Sequence, residues 1–157
     1  MLQQEYERMH AQEMEHWWFR GRRRVLLDLL RRVLPPAGRP RILDFGCGVG
    51  LGVRPLREAF PAARIVGCDP SQESLALARK SEPDCEFLQS SAIEPKPQFD
   101  IVTAVSVFHH IVPSDRDAAL RYCFERLKPG GRLFVFEHNP YNPLTRHLVS
   151  RCPVDRD

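Results

Sequence analysis

Short runs rich in branched and aromatic residues alternate along the chain with stretches whose apolar positions recur every three or four residues. The runs at 41–45, 64–68, 86–89, 99–107 and 132–137 predict five strands. The stretches at 50–60, 71–81 and 114–128 predict helices between them. Ser114 with Asp117 three residues on suits an N-cap and first turn, and Lys128-Pro129-Gly130-Gly131 reads as a stop. The order βαβαββαβ predicts an α/β fold, an open, doubly wound and mostly parallel sheet. Ahead of the first strand, Val25, Leu26, Leu29, Leu30 and Val33 recur at helical spacing with arginines among them. They predict an amphipathic helix over 22–34 that must dock on something, ended by Pro35-Pro36-Ala37-Gly38. One more helix is expected at 143–150. The chain thus divides into a helical lid or cap over 1–40 and a core over 41–157.

Length and composition narrow the class. A chain of 157 residues, 43% apolar and 27% charged, suits one globular domain with one good core. No apolar run approaches the roughly 18 residues that a bilayer crossing needs. The net charge is only +3, yet residues 20–41 hold eight arginines against Asp28 alone. That segment reads as a solvated helix face or as a contact for an anionic ligand, a lipid surface or nucleic acid. The five cysteines stand far apart, without a C-x-x-C pair, which argues against a zinc knuckle and a disulfide framework. The charged amino terminus lacks a secretory core, so a cytoplasmic location is expected.

The chemistry concentrates where the first strand ends. Asp44-Phe45-Gly46-Cys47-Gly48-Val49-Gly50-Leu51-Gly52 holds four of the nine glycines. Such density fits a turn against which a ligand lies on bare main chain, with the next helix's N-terminus facing it. The dinucleotide fingerprint G-x-G-x-x-G fails in both registers, since its last glycine would fall on Leu51 or Val53, and the P-loop pattern is absent. Asp44, just ahead of the glycines, would repel a pyrophosphate and attract a cation. S-adenosylmethionine, with a sulfonium, an ammonium and no phosphate, meets that demand. Asp69, ending the second predicted strand, stands where an acid accepts ribose hydroxyls in a doubly wound fold.

Over roughly residues 41–139 the chain resembles the class I S-adenosylmethionine-dependent methyltransferases. LDFGCGVG carries the glycine loop, VGCDPS the ribose acid, FDIVTAVSVFHHI the fourth strand and its exit, and LKPGGRLFVFEHNP the lead into the fifth. HWWFRGRR and EHNPYNPLT resemble, more narrowly, a bacterial type 11 or type 12 group acting on small molecules. The resemblance implies a Rossmann-like methyltransferase sheet that here lacks its last two strands, leaving an edge for a partner such as a second copy. It implies that Gly46, Cys47, Gly48 and Gly50 border the methionine end and that Asp44 faces its ammonium. Asp69 and Pro70 would lie at the ribose, Ser91 and Ala92 at the adenine, and the carbonyls of Ala104 and Val105 at the ammonium. Ser91 stands where many members have an acid.

Catalytic groups are fewer. Methyl transfer is an in-line displacement at an activated carbon, so alignment and desolvation can supply most of the effect, with a base needed only for a protonated acceptor. His109, His110, Glu137 and His138 fall at the sheet's carboxyl edge, and His110 and His138 are the expected base or acceptor-positioning groups. No histidine–carboxylate pair has zinc-binding helical spacing, so no metal is expected. Asn139-Pro140-Tyr141 follows the fifth strand and lacks the second proline of nucleic-acid N-methyltransferases, which disfavours a nucleic-acid substrate. The run His16-Trp17-Trp18-Phe19-Arg20 is expected to fold over the pocket as a lid, with Arg20 or Arg22 near the methionine carboxylate; its Trp/Arg mixture also suits peripheral contact with an anionic membrane. The expected reaction is methyl transfer to a small molecule at oxygen or nitrogen. The rivals are a non-catalytic S-adenosylmethionine or S-adenosylhomocysteine binding module, or a partial enzyme needing a partner.

Overall fold

Ile42 and Leu43, Ile65 and Val66, and Ile101 and Val102 are neighbouring apolar pairs, and in each pair the two side chains join different cores. This is the consequence of strand geometry, in which successive side chains point to opposite faces, acting on strands covered on both sides. The computed structural model describes residues 17–34, 38–137, 139, 141–143 and 147, the side chains of 17–19 excepted. His138, most of the tail helix expected at 143–150 and the aromatic side chains of the expected lid lie outside them.

Five strands, β1 (Arg41–Phe45), β2 (Arg64–Asp69), β3 (Glu86–Gln89), β4 (Phe99–Val105) and β5 (Leu127–Phe136), form one sheet in the order β3-β2-β1-β4-β5. Every pairing is parallel. The chain builds outward from β1 in one direction, then returns to add β4 on its other side. The carboxyl ends of β1 and β4 therefore flank the topological switch point, where ligands of such sheets bind.

Helices α1 (Trp17–Val33), α2 (Val53–Ala59) and α3 (Gln72–Ser81) cover one face through Leu26, Leu30, Leu34, Val53, Leu56, Leu75 and Ala78. Helix α4 (Arg116–Arg126) covers the other, where Cys123 packs with Leu43, Phe99 and Val102. Ser71 caps α3 by accepting the Ser74 N–H at 3.1 Å. No helix among the described residues is long and apolar enough to cross a membrane.

Several boundaries differ from the sequence expectation. The docking stripe of α1 is Leu26 and Leu30, continued by Leu34 just past its end, and Val25, one position round the helix, is 51% exposed. Strand β4 stops at Val105 because Ser106 adopts φ +57°, which turns the chain out of the sheet. Helix α4 starts at Arg116 after a one-turn 3-10 segment, Pro113–Asp115, and the Ser114 hydroxyl bonds the Asp115 carboxylate at 3.0 Å instead of capping. Strand β5 begins at Leu127, running through Pro129-Gly130-Gly131. Lys128 Nζ holds the Asp100 carboxylate of β4 at 2.9 Å, and a proline is tolerated because β5 is an edge of the described sheet.

Candidate active site

The turn after β1 is fastened to β2 before it reaches α2. The N–H groups of Gly46 and Cys47 both donate to the Cys68 carbonyl, at 2.8 and 3.0 Å. Gly46 sits at φ +70°, and a Cβ there would lie 2.6 Å from Val107 Cγ2, so packing as well as conformation demands glycine. Gly48 is different: at φ +51° its Cβ would meet nothing within 4 Å. Its missing side chain leaves space in the cleft itself.

Two carboxylates frame this turn. Asp44, near the end of β1, is buried, and its Oδ1 accepts the Thr103 hydroxyl from β4 at 2.8 Å. Asp69, ending β2, accepts the Gly48 N–H on Oδ2 and the Ser71 N–H on Oδ1, each at 2.9 Å. These bonds fix the plane of the Asp69 carboxylate while leaving each oxygen a further lone pair. Both acids thus stand beside bare main chain, an arrangement suited to a cation and to hydroxyl donors and unsuited to a phosphate.

A cleft of about 290 Å³ opens over the turn. Asp44, Gly46, Cys47 and Gly48 form one side, Val105, Ser106 and His110 line it from the β4 exit, and Arg22, Arg23 and Leu26 line it from α1. Arg22 Nη1 donates to Ser106 Oγ at 2.6 Å, joining the helix to the strand exit across the cleft. Burial, reinforced by the negative charge of Asp44, pushes the Cys47 thiol far up, so Cys47 faces the cleft as a neutral group.

Of the expected cofactor residues, Arg22, Asp44, Gly46, Cys47, Gly48 and Val105 line the cleft, together with the expected base His110. Asp69 stands behind Gly48, bonded to it. Gly50 is buried, its Cα packed near Ala78 and Phe87, and Pro70 is exposed just beyond Asp69. Ser91 and Ala92 are exposed on the 3-10 turn Ser90–Ala92 that follows β3. Ala104 is fully buried in β4 between Phe45 and Val135.

Thr103 and Ser106 lie within FDIVTAVSVFHHI and Arg23 within HWWFRGRR, but none is among the expected site residues, because a motif does not say which of its side chains turns towards the cleft. Glu137, expected at the sheet's carboxyl edge, makes a structural pairing there. That carboxylate accepts the N–H groups of Val107 and Phe108 on Oε1, each at 2.7 Å, and Oε2 meets His109 Nδ1 at 2.7 Å. Glu137 therefore ties down the loop that carries His110, whose ring lies against that of His109, centroids 3.9 Å apart and planes tilted by 44°. Among the described residues no group of three or more His, Cys, Asp or Glu could hold a metal ion.

A family model described as "Methyltransferase domain" matches residues 43–133. The ubiquinone biosynthesis O-methyltransferase of Bradyrhizobium diazoefficiens is 37% identical over a 110-residue alignment that covers 66% of this chain and 42% of that protein. The trans-aconitate 2-methyltransferase of Azoarcus sp. is 33% identical over 134 residues, 84% of this chain and 52% of that protein. The chain spans about half the length of these relatives. Among solved structures, phosphoethanolamine N-methyltransferase 2 of Haemonchus contortus, in complex with S-adenosyl-L-methionine, matches at 26% identity and TM-score 0.59, covering 79% of this chain and 31% of that one.

Proposed function

This chain belongs to the methyltransferase-domain family, and from that premise we propose that it binds S-adenosylmethionine and transfers the methyl group to a small molecule at oxygen or nitrogen. The observation that carries the reading is the pair of acids around a side-chain-free turn. Asp44 is buried in the cleft wall, and Asp69 is fixed by the loop's own Gly48 N–H. The donor set fits a sulfonium cofactor with a free ribose. The solved relative bound to S-adenosyl-L-methionine supports the same cofactor, and the two small-molecule methyltransferases support the acceptor class.

When bound, the cofactor supplies a methyl carbon activated by its positive sulfur. The work left to the protein is alignment and exclusion of water. Asp44 offers negative charge to the ammonium end, with the Thr103 hydroxyl holding its carboxylate in one orientation. Asp69 receives the ribose hydroxyls on lone pairs not used by Gly48 and Ser71. The main chain at Gly46, Cys47 and Gly48 borders the methionine end and the Val105 carbonyl serves its ammonium, whereas the buried Gly50 and Ala104 shape the turn and the strand behind them. Pro70, Ser91 and Ala92 border the adenosine half. Arg22, bonded to Ser106, stands at the mouth of the cleft for the methionine carboxylate, and residues 1–40 act as its cover.

His110 lines the cleft on a loop braced by Glu137, and it is the proposed base or acceptor-positioning group, with His138 as the second candidate. A base matters only for an acceptor that arrives protonated. The test is transfer of labelled methyl from S-adenosylmethionine to a panel of phenols, polycarboxylates and amines. Turnover on one of them that His110→Gln reduces, with S-adenosylhomocysteine affinity kept, supports the assignment. Saturable cofactor binding without transfer to any acceptor favours the binding module, and undiminished turnover in the variant removes His110.

A further inference from the structure

Helix α4 does more than cover the sheet. The 3-10 turn Ser90–Ala92 leaves β3 beside the acid that ends β2, since Gln89 stands in register with Asp69. The turn's own closing bond, from the Ile93 N–H to the Ser90 carbonyl, is 3.4 Å long and therefore weak. Two side chains of α4 supply shorter ones. The Tyr122 hydroxyl donates to the Ser90 carbonyl at 2.7 Å, and Arg126 donates twice to the Ile93 carbonyl, from Nη2 at 2.7 Å and from Nε at 3.2 Å. The two also hold each other. The Arg126 guanidinium lies 3.4 Å from the centre of the Tyr122 ring, and its Nη1 donates to the Tyr122 carbonyl at 2.9 Å. Burial raises the Tyr122 phenol, which keeps its proton and donates throughout the neutral range.

Both ends of the turn are thus fixed from one helix, while Ser91 and Ala92 between them are exposed. Packing alone does not call for this. Ile93 is seated in the core by its own side chain, and Arg126, only 6% exposed, carries a charge that costs more to bury than an apolar residue of its size. What the tyrosine and the arginine add is orientation of main chain, at a turn whose outer residues face solvent. We propose that Tyr122 and Arg126 are positioning residues for the nucleobase of the cofactor: they hold Ser91 and Ala92 at a fixed distance from the ribose acid Asp69, where the Ser91 hydroxyl accepts from the 6-amino group of adenine. The inference rests on the proposed cofactor, with its base at Ser91 and Ala92. Neither positioning residue touches the ligand, and both act through the turn.

The experiment uses the full chain as parent, Tyr122→Phe and Arg126→Lys. Tyr122→Phe removes one hydroxyl and keeps the ring that meets Phe45 and Arg126. Arg126→Lys keeps the charge and loses the fork on the Ile93 carbonyl. Each protein is titrated calorimetrically with S-adenosylhomocysteine and with its analogue carrying two methyl groups on the 6-amino nitrogen, which has no N–H for Ser91 to accept. Thermal melting by circular dichroism checks folding, and if one variant fails to fold the other is read alone. The parent should prefer the unmodified thioether by about tenfold, the worth of one net hydrogen bond. In the variants that preference should narrow to about twofold, because a turn no longer held gives up the bond and yields to the added bulk. A merely structural role would weaken both ligands equally and leave the preference unchanged, which would overturn the proposal. So would a parent that binds the two ligands alike, a result that leaves the cofactor reading intact. A parent that binds neither would remove the cofactor reading itself, and this inference with it.

Discussion

Replacing Gly48 with alanine separates ligand binding from folding. Gly48 holds φ +51°, and a Cβ built on it meets nothing within 4 Å. Folding therefore loses only what an L-residue costs in the left-handed region, about 1–2 kcal/mol. The same change at Gly46 brings a Cβ within 2.6 and 2.7 Å of the two Val107 methyl carbons, adding about 1–3 kcal/mol of overpacking to a similar backbone cost. Urea denaturation should rank the parent above Gly48→Ala and Gly48→Ala above Gly46→Ala. Binding should respond differently. Gly48 lines the cleft and donates its N–H to Asp69 Oδ2 at 2.9 Å, so the new methyl occupies the space where a ligand lies against the main chain. A displaced ligand should lose at least about 1.4 kcal/mol, or about tenfold in affinity. Calorimetric titration with S-adenosylhomocysteine measures this directly. A folded Gly48→Ala protein that binds the thioether as tightly as the parent would refute the cradle.

Other changes probe the supports around the cleft. Glu137→Ala leaves the Val107 and Phe108 N–H groups without their carboxylate and should cost about 2–4 kcal/mol in urea denaturation, most of it recovered in Glu137→Gln, which keeps an acceptor oxygen. Arg126 is buried and donates to the carbonyls of Ile93 and Tyr122. Arg126→Leu should therefore destabilise by about 2–4 kcal/mol, with Arg126→Lys recovering part, as a lysine lacks the fork. Burial pushes the Cys68 thiol up to about 11 and the Cys123 thiol to about 12, from an ordinary 9.0. Iodoacetamide at neutral pH should therefore spare both until the protein is unfolded, as read by peptide mapping. Because these thiols ionise more readily in the unfolded chain, their contribution to stability should be full below pH 9.0 and be lost as pH rises towards their folded values. Burial alone would raise Asp100, but the Arg41 N–H and Lys128 outweigh it and hold the carboxyl below its ordinary range. Its contribution is present above that range and lost on acidification, so Asp100→Asn should flatten the acid limb of the urea midpoint plotted against pH.

Periodicity and local chemistry made most of the architecture legible. Paired apolar residues such as Ile42-Leu43 mark strands buried on both faces, and the glycine run announces the turn that opens the cleft. What escaped was set by tertiary contacts. Nothing local distinguishes Ser106, whose left-handed backbone ends β4 and whose hydroxyl receives Arg22, a residue 84 positions away. Pro129-Gly130-Gly131 reads as a break, yet it remains in β5 because Leu127 pairs with Phe99 and Lys128 is anchored to Asp100. Likewise the partners of Glu137, the Val107 and Phe108 N–H groups, lie 30 and 29 positions away and are named by no local pattern. The acids and glycines were readable because their chemistry is local, whereas the groups holding them belong to distant strands.

The account stands or falls on calorimetric titration of the full chain with S-adenosylhomocysteine, run beside a nicotinamide dinucleotide. It predicts saturable one-to-one heat from the thioether, abolished in Asp69→Ala, and none from the dinucleotide. Saturable binding of the dinucleotide, or no heat from the thioether at millimolar concentration, would contradict it.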